Sequence, residues 1–229
     1  MIIGKIRAIL TFIQLIITVS SVIILIYIFK SKNRKIRTIW ATLQMKLMGI
    51  NLEIKGEVDP KAELLMINHQ SILDIIVLEY LHPRNLAWVA KKEIANIPWF
   101  GHILKAPDMI VVERESKSSL VKLMKDSKEK LNDDRVIAIF PEGTRTDGTK
   151  LRKFKAGTKL ICEKNNLNVQ PIIIVGSRAI FDSQNFIQKS GTIKIIYLPT
   201  IKAERSTQWY SQTEELMNET LKKELENDL

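Results

Sequence analysis

The sequence predicts an α/β fold in which a mixed, largely buried sheet is flanked by helices and preceded by a membrane-embedded helix. Three observations predict it. The chain has 229 residues and 45% of them are hydrophobic, which is enough to fill the core of one domain. An uncharged apolar run stands near the amino terminus. After residue 50, short apolar runs alternate with helical patterns.

The first element is the uncharged run Ala8–Phe29, whose 22 residues are mostly Ile, Leu and Val. A helix of that length extends about 33 Å, which matches the hydrocarbon thickness of a bilayer. We therefore expect a helix that crosses the membrane or is embedded in it. A cleaved signal peptide is the competing interpretation, but a basic cluster follows the run where a small-residue cleavage site would stand.

The distribution of charge indicates a membrane partner. The net charge is +10, and residues 1–50 contain eight Lys or Arg residues and no acidic residue. The rest of the chain has 27 basic and 25 acidic residues, so it is close to neutral. The basic cluster 30–37 is the richer flank of the apolar run, which predicts that the following domain lies on the cytoplasmic side of the inner membrane. The excess charge therefore predicts contact with lipid phosphates and gives no reason to expect a nucleic acid partner.

Residues 36–50 predict an amphipathic helix, because apolar residues recur there at spacings of three and four. The apolar positions are Ile36, Ile39, Trp40, Leu43, Leu47 and Ile50. Gly49 is expected to end the helix. A helix beside the membrane and a core helix of the domain are both open interpretations, and both hold if the helix uses two faces. We thus expect an anchor over residues 1–50 and one domain over residues 51–229.

Within the domain, short β-branched or apolar runs predict strands and longer mixed runs predict helices. The predicted strands are 64–67, 86–89, 109–112, 136–140, 171–175 and 192–198. The predicted helices are 72–80, 116–131, 156–165 and 206–225.

The first polar cluster follows the strand 64–67, in the segment Asn68–Asp74 of sequence NHQSILD. His69 is expected at the strand end, with Ser71 as the N-cap of the next helix. A carboxylate in the first turn of that helix, Asp74, can accept a hydrogen bond from one imidazole nitrogen and leave the other as a base. The same spacing also fits an Asp that caps its own helix beside an ordinary loop histidine.

The second cluster follows the strand 136–140, where Pro141 and Gly143 predict a sharp turn. Arg145 suits a phosphate monoester, because its planar fork binds two oxygens at once. Glu142 is expected to hold Arg145 or to accept a hydrogen bond from a substrate hydroxyl. A turn with a surface ion pair is the alternative interpretation.

Together these two clusters resemble the glycerolipid acyltransferases. The segment 68–74 resembles the N-H-x4-D block of that family, and residues 140–145 match its F-P-E-G-T-R block letter for letter. The blocks occur in the family's order, about 70 residues apart, and the resemblance covers roughly residues 50–200. It implies that His69 and Asp74 are catalytic and that Glu142, Gly143, Thr144 and Arg145 bind substrate.

Three further segments resemble blocks of the same family. Residues 111–114 (VVER) resemble its F-I-D-R strand end, which implies that Arg114 binds the acceptor phosphate; Asp108 stands where a Gly is usual. Residues 154–157 (FKAG) are similar to F-K-x-G, so Lys155 is a candidate phosphate contact, with a solvated helix-start lysine as the alternative. Residues 169–173 (VQPII) resemble a Pro-containing strand that lines the acyl site, which implies such a place for Pro171.

The resemblance implies a reaction. A fatty acyl group would pass from a thioester, acyl-CoA or acyl-carrier protein, to the 2-hydroxyl of a lysophosphatidic acid, forming phosphatidic acid for phospholipid biosynthesis. No metal or redox cofactor is expected, and the thioester is a co-substrate. Alternative acceptors are glycerol 3-phosphate, a lyso-aminolipid, or water in a hydrolase. A non-catalytic lipid-binding membrane protein is the rival from another class. The lone Cys162 is expected to be a small buried hydrophobe.

Overall fold

The computed structural model describes residues 2–113 and 117–227. The chain begins with helix α1 (Ile2–Ile28), a short 3-10 turn (Lys30–Lys32) and helix α2 (Asn33–Met48). By length and composition alone α1 is apolar enough to cross a membrane, and only 17% of its most apolar window is buried. It nevertheless lies against the domain near both of its ends. The Arg7 guanidinium donates to Ser190 Oγ at 2.7 Å, and Tyr27 Oη is 2.6 Å from His102 Nδ1.

Helix α2 buries the face opposite to its apolar stripe. Ile39, Leu43 and Leu47 are exposed by 59%, 43% and 55%. Its buried residues are Arg37, Ala41, Gln44, Met45 and Met48. The interpretation as a core helix therefore holds for the face that contains Arg37 and Gln44. Trp40 of the predicted stripe also packs against the core, whereas Ile39, Leu43 and Leu47 point outward, and their contact with a membrane stays a prediction. Gly49 ends the helix in the left-handed conformation, at φ 65°, as expected for a glycine C-cap.

The domain is built on an eight-stranded mixed sheet. Its strands are β1 (Ile50–Lys55), β2 (Leu64–Ile67), β3 (Leu86–Lys91), β4 (Ile110–Val112), β5 (Val136–Ile139), β6 (Asn168–Val175), β9 (Gly191–Tyr197) and β10 (Ile201–Lys202). The order is β1-β9-β6-β2-β5-β3-β4, and β10 pairs with the start of β6. From β6 to β4 all neighbours are parallel, whereas β9 runs antiparallel to β6 and parallel to β1. A separate hairpin joins β7 (Phe181–Asp182) and β8 (Ile187–Gln188).

Helices cover both faces of this sheet, which confirms the predicted fold class. The remaining helices are α3 (Leu73–Leu81), α4 (Lys92–Ala95), α5 (His102–Lys105), α6 (Lys117–Asn132), α7 (Ala156–Asn165), α8 (Ser177–Ile180) and α9 (Trp209–Glu226). One core lies between the sheet and α2, α3 and α8. The other lies between the opposite face and α6, α7 and α9, and contains the fully buried Cys162.

Two local predictions were wrong. Ile50 does not extend the amphipathic helix but opens β1, because the chain reverses at Gly49 and pairs with β9. Ser71 is not an N-cap, since α3 begins at Leu73 and makes no side-chain cap bond at its start. The Ser71 hydroxyl instead donates to the carbonyl of Phe181 at 2.8 Å. The elements α4, α5, α8, β7, β8 and β10 were not predicted, because each has only two to four residues. Strand β1 was also missed, although its sequence INLEIK alternates apolar and polar residues as a strand does.

Candidate active site

His69 is held at the carboxyl end of β2 by the residue before it. Asn68 continues the pairing of β2 with β6, because its Oδ1 accepts from the Ile174 N–H at 2.7 Å and its Nδ2 donates to the Ile174 carbonyl at 2.9 Å. The Asn68 side chain is fully buried. His69 therefore projects from the edge of the sheet where open α/β sheets place their ligands.

Asp74 fixes the His69 ring from inside the protein. Its Oδ2 lies 2.8 Å from His69 Nδ1 and also accepts the backbone N–H groups of Gln70 and Ser71, at 2.7 and 2.9 Å. Its Oδ1 accepts from the Ser177 hydroxyl at 2.5 Å. A carboxylate that is fully buried and holds four donors keeps its orientation. Because an ionised carboxylate only accepts, the Nδ1 of His69 carries the proton of this bond and Nε2 has a lone pair.

The other side of the His69 ring is covered by Phe140. The two rings stack with centroids 3.8 Å apart and planes within 13°. The His69 side chain is 12% exposed. Within the described part of the chain Nε2 has no hydrogen-bond partner, so the ring is held by its other nitrogen and its face. That arrangement leaves the base nitrogen for a substrate proton.

Glu142 and Thr146 position the backbone of His69. Glu142 Oε1 accepts the N–H of His69 at 2.9 Å, and Oε2 accepts the N–H of Arg152 at 2.7 Å. The carbonyl of His69 accepts the N–H of Thr146 at 2.8 Å. Burial raises the pKa of Glu142 to about 6, while the two N–H groups act in the opposite direction. The F-P-E-G-T-R turn is thereby tied to the N-H-x4-D segment through backbone.

The alternative in which Glu142 holds Arg145 was wrong, because both Glu142 oxygens face backbone amides instead. Arg145 is exposed, and with the described residues its guanidinium makes one long contact, 3.5 Å to Ser183 Oγ. Although the side chain reaches the surface, the protein around the guanidinium partly desolvates it, which lowers the pKa of Arg145, while the attraction of Asp74 acts in the opposite direction. Gly143 turns the chain at φ 71°, a conformation that side chains disfavour, and Thr144 is half-buried beside it. Substrate binding by Glu142, Gly143, Thr144 and Arg145 stays a prediction.

The other residues predicted to bind substrate, Lys155, Pro171 and Arg114, lie in different parts of the chain. Lys155 is exposed at the start of α7, and its backbone binds Pro141 and Tyr210. Pro171 is buried in the middle of β6 opposite Met66, which is three residues before His69, so it does not join the other site residues. Arg114 lies outside the described residues. The phosphate contacts of Arg114 and Lys155 and the acyl contact of Pro171 stay predictions.

The departure at Asp108 has a local explanation. Its φ is 55°, a left-handed conformation that glycine adopts freely and Asp tolerates better than most residues. Its carboxylate forms an ion pair with Lys130 of α6. A left-handed turn at this position is one that a glycine would also adopt without strain.

Three supporting residues were missed from the sequence: Ser177, Thr146 and, as a structural clamp, Asn68. Ser177 is fully buried and lies 103 positions after the Asp74 that it binds. No local spacing signals such a pair, whereas Thr146 stands one residue beyond the recognised block. Among the described residues, no group of three His, Cys, Asp or Glu side chains is arranged to hold a metal ion.

Comparison with known proteins gives concordant matches. Residues 49–175 match the family model described as Acyltransferase. A 1-acyl-sn-glycerol-3-phosphate acyltransferase of Helicobacter pylori is 40% identical over 86% of this chain and 85% of its own length. A lyso-ornithine lipid O-acyltransferase of Rhizobium meliloti is 32% identical over 51% of this chain and 39% of its own. The crystal structure of a 1-acyl-sn-glycerophosphate acyltransferase from Thermotoga maritima has the same fold, with a TM-score of 0.77 at 18% identity, over 99% of this chain and 96% of that one.

Proposed function

The chain belongs to the acyltransferase family and is an acyltransferase, and on that premise we propose that it acylates the 2-hydroxyl of 1-acyl-sn-glycerol 3-phosphate to form phosphatidic acid. The donor is a fatty acyl thioester, either acyl-CoA or acyl-carrier protein. The observation that carries the proposal is the 2.8 Å contact between His69 Nδ1 and the Asp74 carboxylate, which is buried and accepts four hydrogen bonds in all. The acceptor is chosen because a relative that is 40% identical over 86% of this chain bears that name.

The reaction follows from the state of the His69 ring. Nε2 takes the proton of the acceptor hydroxyl as its oxygen attacks the carbonyl carbon of the thioester. The carboxylate of Asp74 stabilises the imidazolium that forms. When the tetrahedral intermediate collapses, the C–S bond breaks and the imidazolium returns its proton to the leaving thiolate. The acyl group passes directly to the acceptor without a bond to the protein.

The acceptor phosphate is assigned to the cationic side of the site. Arg145 supports this assignment because its guanidinium is attracted by the Asp74 carboxylate and makes one weak hydrogen bond to the part of the chain that the structure describes. Lys155 and Arg114 are the further candidates. Holding the phosphate brings the hydroxyl to the base, and positioning of this kind supplies on the order of 7–11 kcal/mol of a barrier in favourable cases.

The protein associates with membranes, and we infer that α1 lies in one leaflet on the cytoplasmic side of the inner membrane. Ties between α1 and the domain near both of its ends support this placement, because a spanning helix would leave the domain at one end. The exposed apolar residues of α1 and α2 supply the lipid-facing surface. A cysteine placed at Ile3 should react with an impermeant maleimide only from the cytoplasmic side, and labelling from the outside would contradict the placement.

The test of the function is thiol release by the purified full chain, measured with acyl-CoA or acyl-carrier protein and with or without lysophosphatidic acid. We expect release that depends on the lysolipid and phosphatidic acid as the product. His69→Ala should lower turnover by on the order of 10²–10⁴-fold. Cys162→Ala is the matched control for a cysteine nucleophile and should keep turnover. Thiol release without a lysolipid would indicate a hydrolase, and no release with any acceptor would indicate a lipid-binding protein.

A lyso-aminolipid is the second candidate acceptor, because the Rhizobium relative bears the name of an enzyme for such a lipid. Glycerol 3-phosphate is the third. Parallel assays with the three acceptors separate them. A preference for the lyso-aminolipid would overturn the phosphate assignment of Arg145 but not the chemistry of His69.

A further inference from the structure

A line of three rings runs from His69 into the protein. Phe140 stacks on His69 at 3.8 Å, and Trp88 of β3 stacks on the Phe140 ring with centroids 5.5 Å apart and planes within 23°. Trp88 is 4% exposed, whereas Phe140 is only partly buried. The position of the Phe140 ring therefore depends on the tryptophan behind it.

A buried ion pair holds the tryptophan in turn. The indole N–H of Trp88 donates to Glu79 Oε1 at 2.7 Å, and the same oxygen pairs with the guanidinium of Arg37. The side chains of Arg37 and Glu79 are 4% and 6% exposed. Arg37 also donates to Asn85 Oδ1. Burial lowers the pKa of Arg37, and the charge of Glu79 opposes that shift.

Such a pair requires a reason, because the desolvation of two buried charges commonly cancels their attraction. Stability is therefore a poor explanation for it. Orientation is a better one, since a charged acceptor holds the indole N–H in a single direction. An indole turned otherwise would present a different face to Phe140.

The His69 ring needs a second restraint. The contact with Asp74 fixes Nδ1, but the ring can still pivot about that hydrogen bond and swing Nε2 away from the acceptor hydroxyl. A flat surface against the ring removes this freedom. We propose that Trp88 is a positioning residue for His69, acting through Phe140, and that Glu79 and Arg37 hold Trp88 in place.

The chain of contacts ends on α2, the helix whose other face presents Ile39, Leu43 and Leu47. A continuous series of side-chain contacts thus connects His69 to α2, the helix that we propose lies beside the membrane. The inference rests on the proposed function of His69 as the base. It adds residues of α2, α3 and β3 that lie outside the recognised sequence blocks.

The experiment compares Trp88→Leu with Trp209→Leu in the full chain. Trp209 is a matched control, because it is 3% exposed, donates to Glu163 at 3.2 Å and contacts Tyr210 edge to face, but lies in the core on the other face of the sheet. We expect Trp88→Leu to lower kcat per folded molecule about tenfold, with KM for both substrates within about twofold, because a misplaced base slows the chemical step. Trp209→Leu should keep the wild-type kcat at a comparable loss of stability.

Two milder variants distinguish the contribution of the Trp88 ring from that of the Arg37–Glu79 ion pair that holds it. Trp88→Phe keeps an aromatic face but loses the N–H, and Arg37→Met with Glu79→Met removes both buried charges together so that neither is left unpaired. Both should lower kcat about threefold by the same loosening of the ring stack. They also carry the test if Trp88→Leu does not fold.

A Trp88→Leu enzyme with kcat within twofold of wild type, or an equal loss in Trp209→Leu, would overturn the inference. Wild-type kcat in the Arg37→Met, Glu79→Met variant would contradict the role of the Arg37–Glu79 ion pair in holding Trp88. His69→Ala distinguishes the two proposals. If it keeps its turnover, the proposed function fails, whereas an inactive His69→Ala with a normal Trp88→Leu contradicts the positioning inference alone.

Discussion

The two ends of the candidate site differ in how completely they are built. Among the described residues, every polar atom of the His69 and Asp74 side chains except Nε2 has a protein partner, and Asp74 alone holds four donors. At the cationic end, Arg145 is exposed and makes a single 3.5 Å side-chain contact within residues 2–113 and 117–227, and Lys155 is exposed at a helix start. The proposed base is therefore preorganised, whereas the cations proposed to bind phosphate have hydrogen-bonding capacity left for a ligand.

This difference follows from what each end must do. A proton acceptor gains from fixed geometry, because only interactions already in place stabilise the transition state without reorganisation. A headgroup site must admit and release a lipid at a membrane surface. Substitutions at the base end should therefore act on kcat, and substitutions at the cationic end should act on KM.

The largest effect is expected at Asp74. Asp74→Asn keeps the size of the side chain, but its amide would present a donor to His69 Nδ1 or to a backbone N–H, so the ring would favour the wrong tautomer. We expect kcat to fall by about 10³–10⁴-fold with little change in KM. Turnover of Asp74→Asn within tenfold of wild type would show that the Asp74 carboxylate does not set the tautomer of His69.

A smaller effect of the opposite kind is expected at Arg145. Arg145→Ala removes no structural contact of consequence, so it should raise KM for the lysolipid about 10–100-fold and leave kcat within a few-fold. Arg205→Ala, an exposed arginine before α9, is the matched control and should change neither. An unchanged KM in Arg145→Ala would remove the phosphate assignment and with it the contrast between the two ends.

The smallest effect concerns stability and Glu142, which joins the two sequence blocks. Its pKa is raised to about 6 in the folded protein by burial, so the folded state binds this proton more tightly than the unfolded chain, whose value is about 4.5. Its contribution is therefore fully present below about pH 4.5 and is lost as the pH rises through about 6. We expect the free energy of unfolding of wild type relative to Glu142→Gln to fall by about 2 kcal/mol over that window. Chemical denaturation of both proteins at pH 4 and pH 7 checks this. An equal difference in unfolding free energy at the two pH values would contradict a raised pKa for Glu142.

The sequence was a good guide to regular elements and a poor one to their partners. The strand 64–67 and the helix 156–165 have the bounds that their patterns predicted, because apolar periodicity is a local property. The short elements around the β7–β8 hairpin were missed, since two-residue strands carry no period. Arg37 shows the same limit: in the sequence it belongs to a basic cluster beside a membrane, whereas in the fold it is buried against Glu79.

By itself the sequence determined three things about this protein: an apolar amino-terminal helix, an α/β sheet, and a histidine and a carboxylate five residues apart at a strand end. Each of these features depends on the types and spacing of residues that are close together in the sequence, so the sequence pattern alone predicts it. Only the tertiary structure decided which apolar residues of α2 point outward, that Glu142 accepts hydrogen bonds from backbone N–H groups instead of pairing with Arg145, and that the Ser177 hydroxyl is the fourth donor to Asp74. Those outcomes depend on contacts between segments up to about 100 residues apart in the chain, which only the packing of the sheet and its helices brings together.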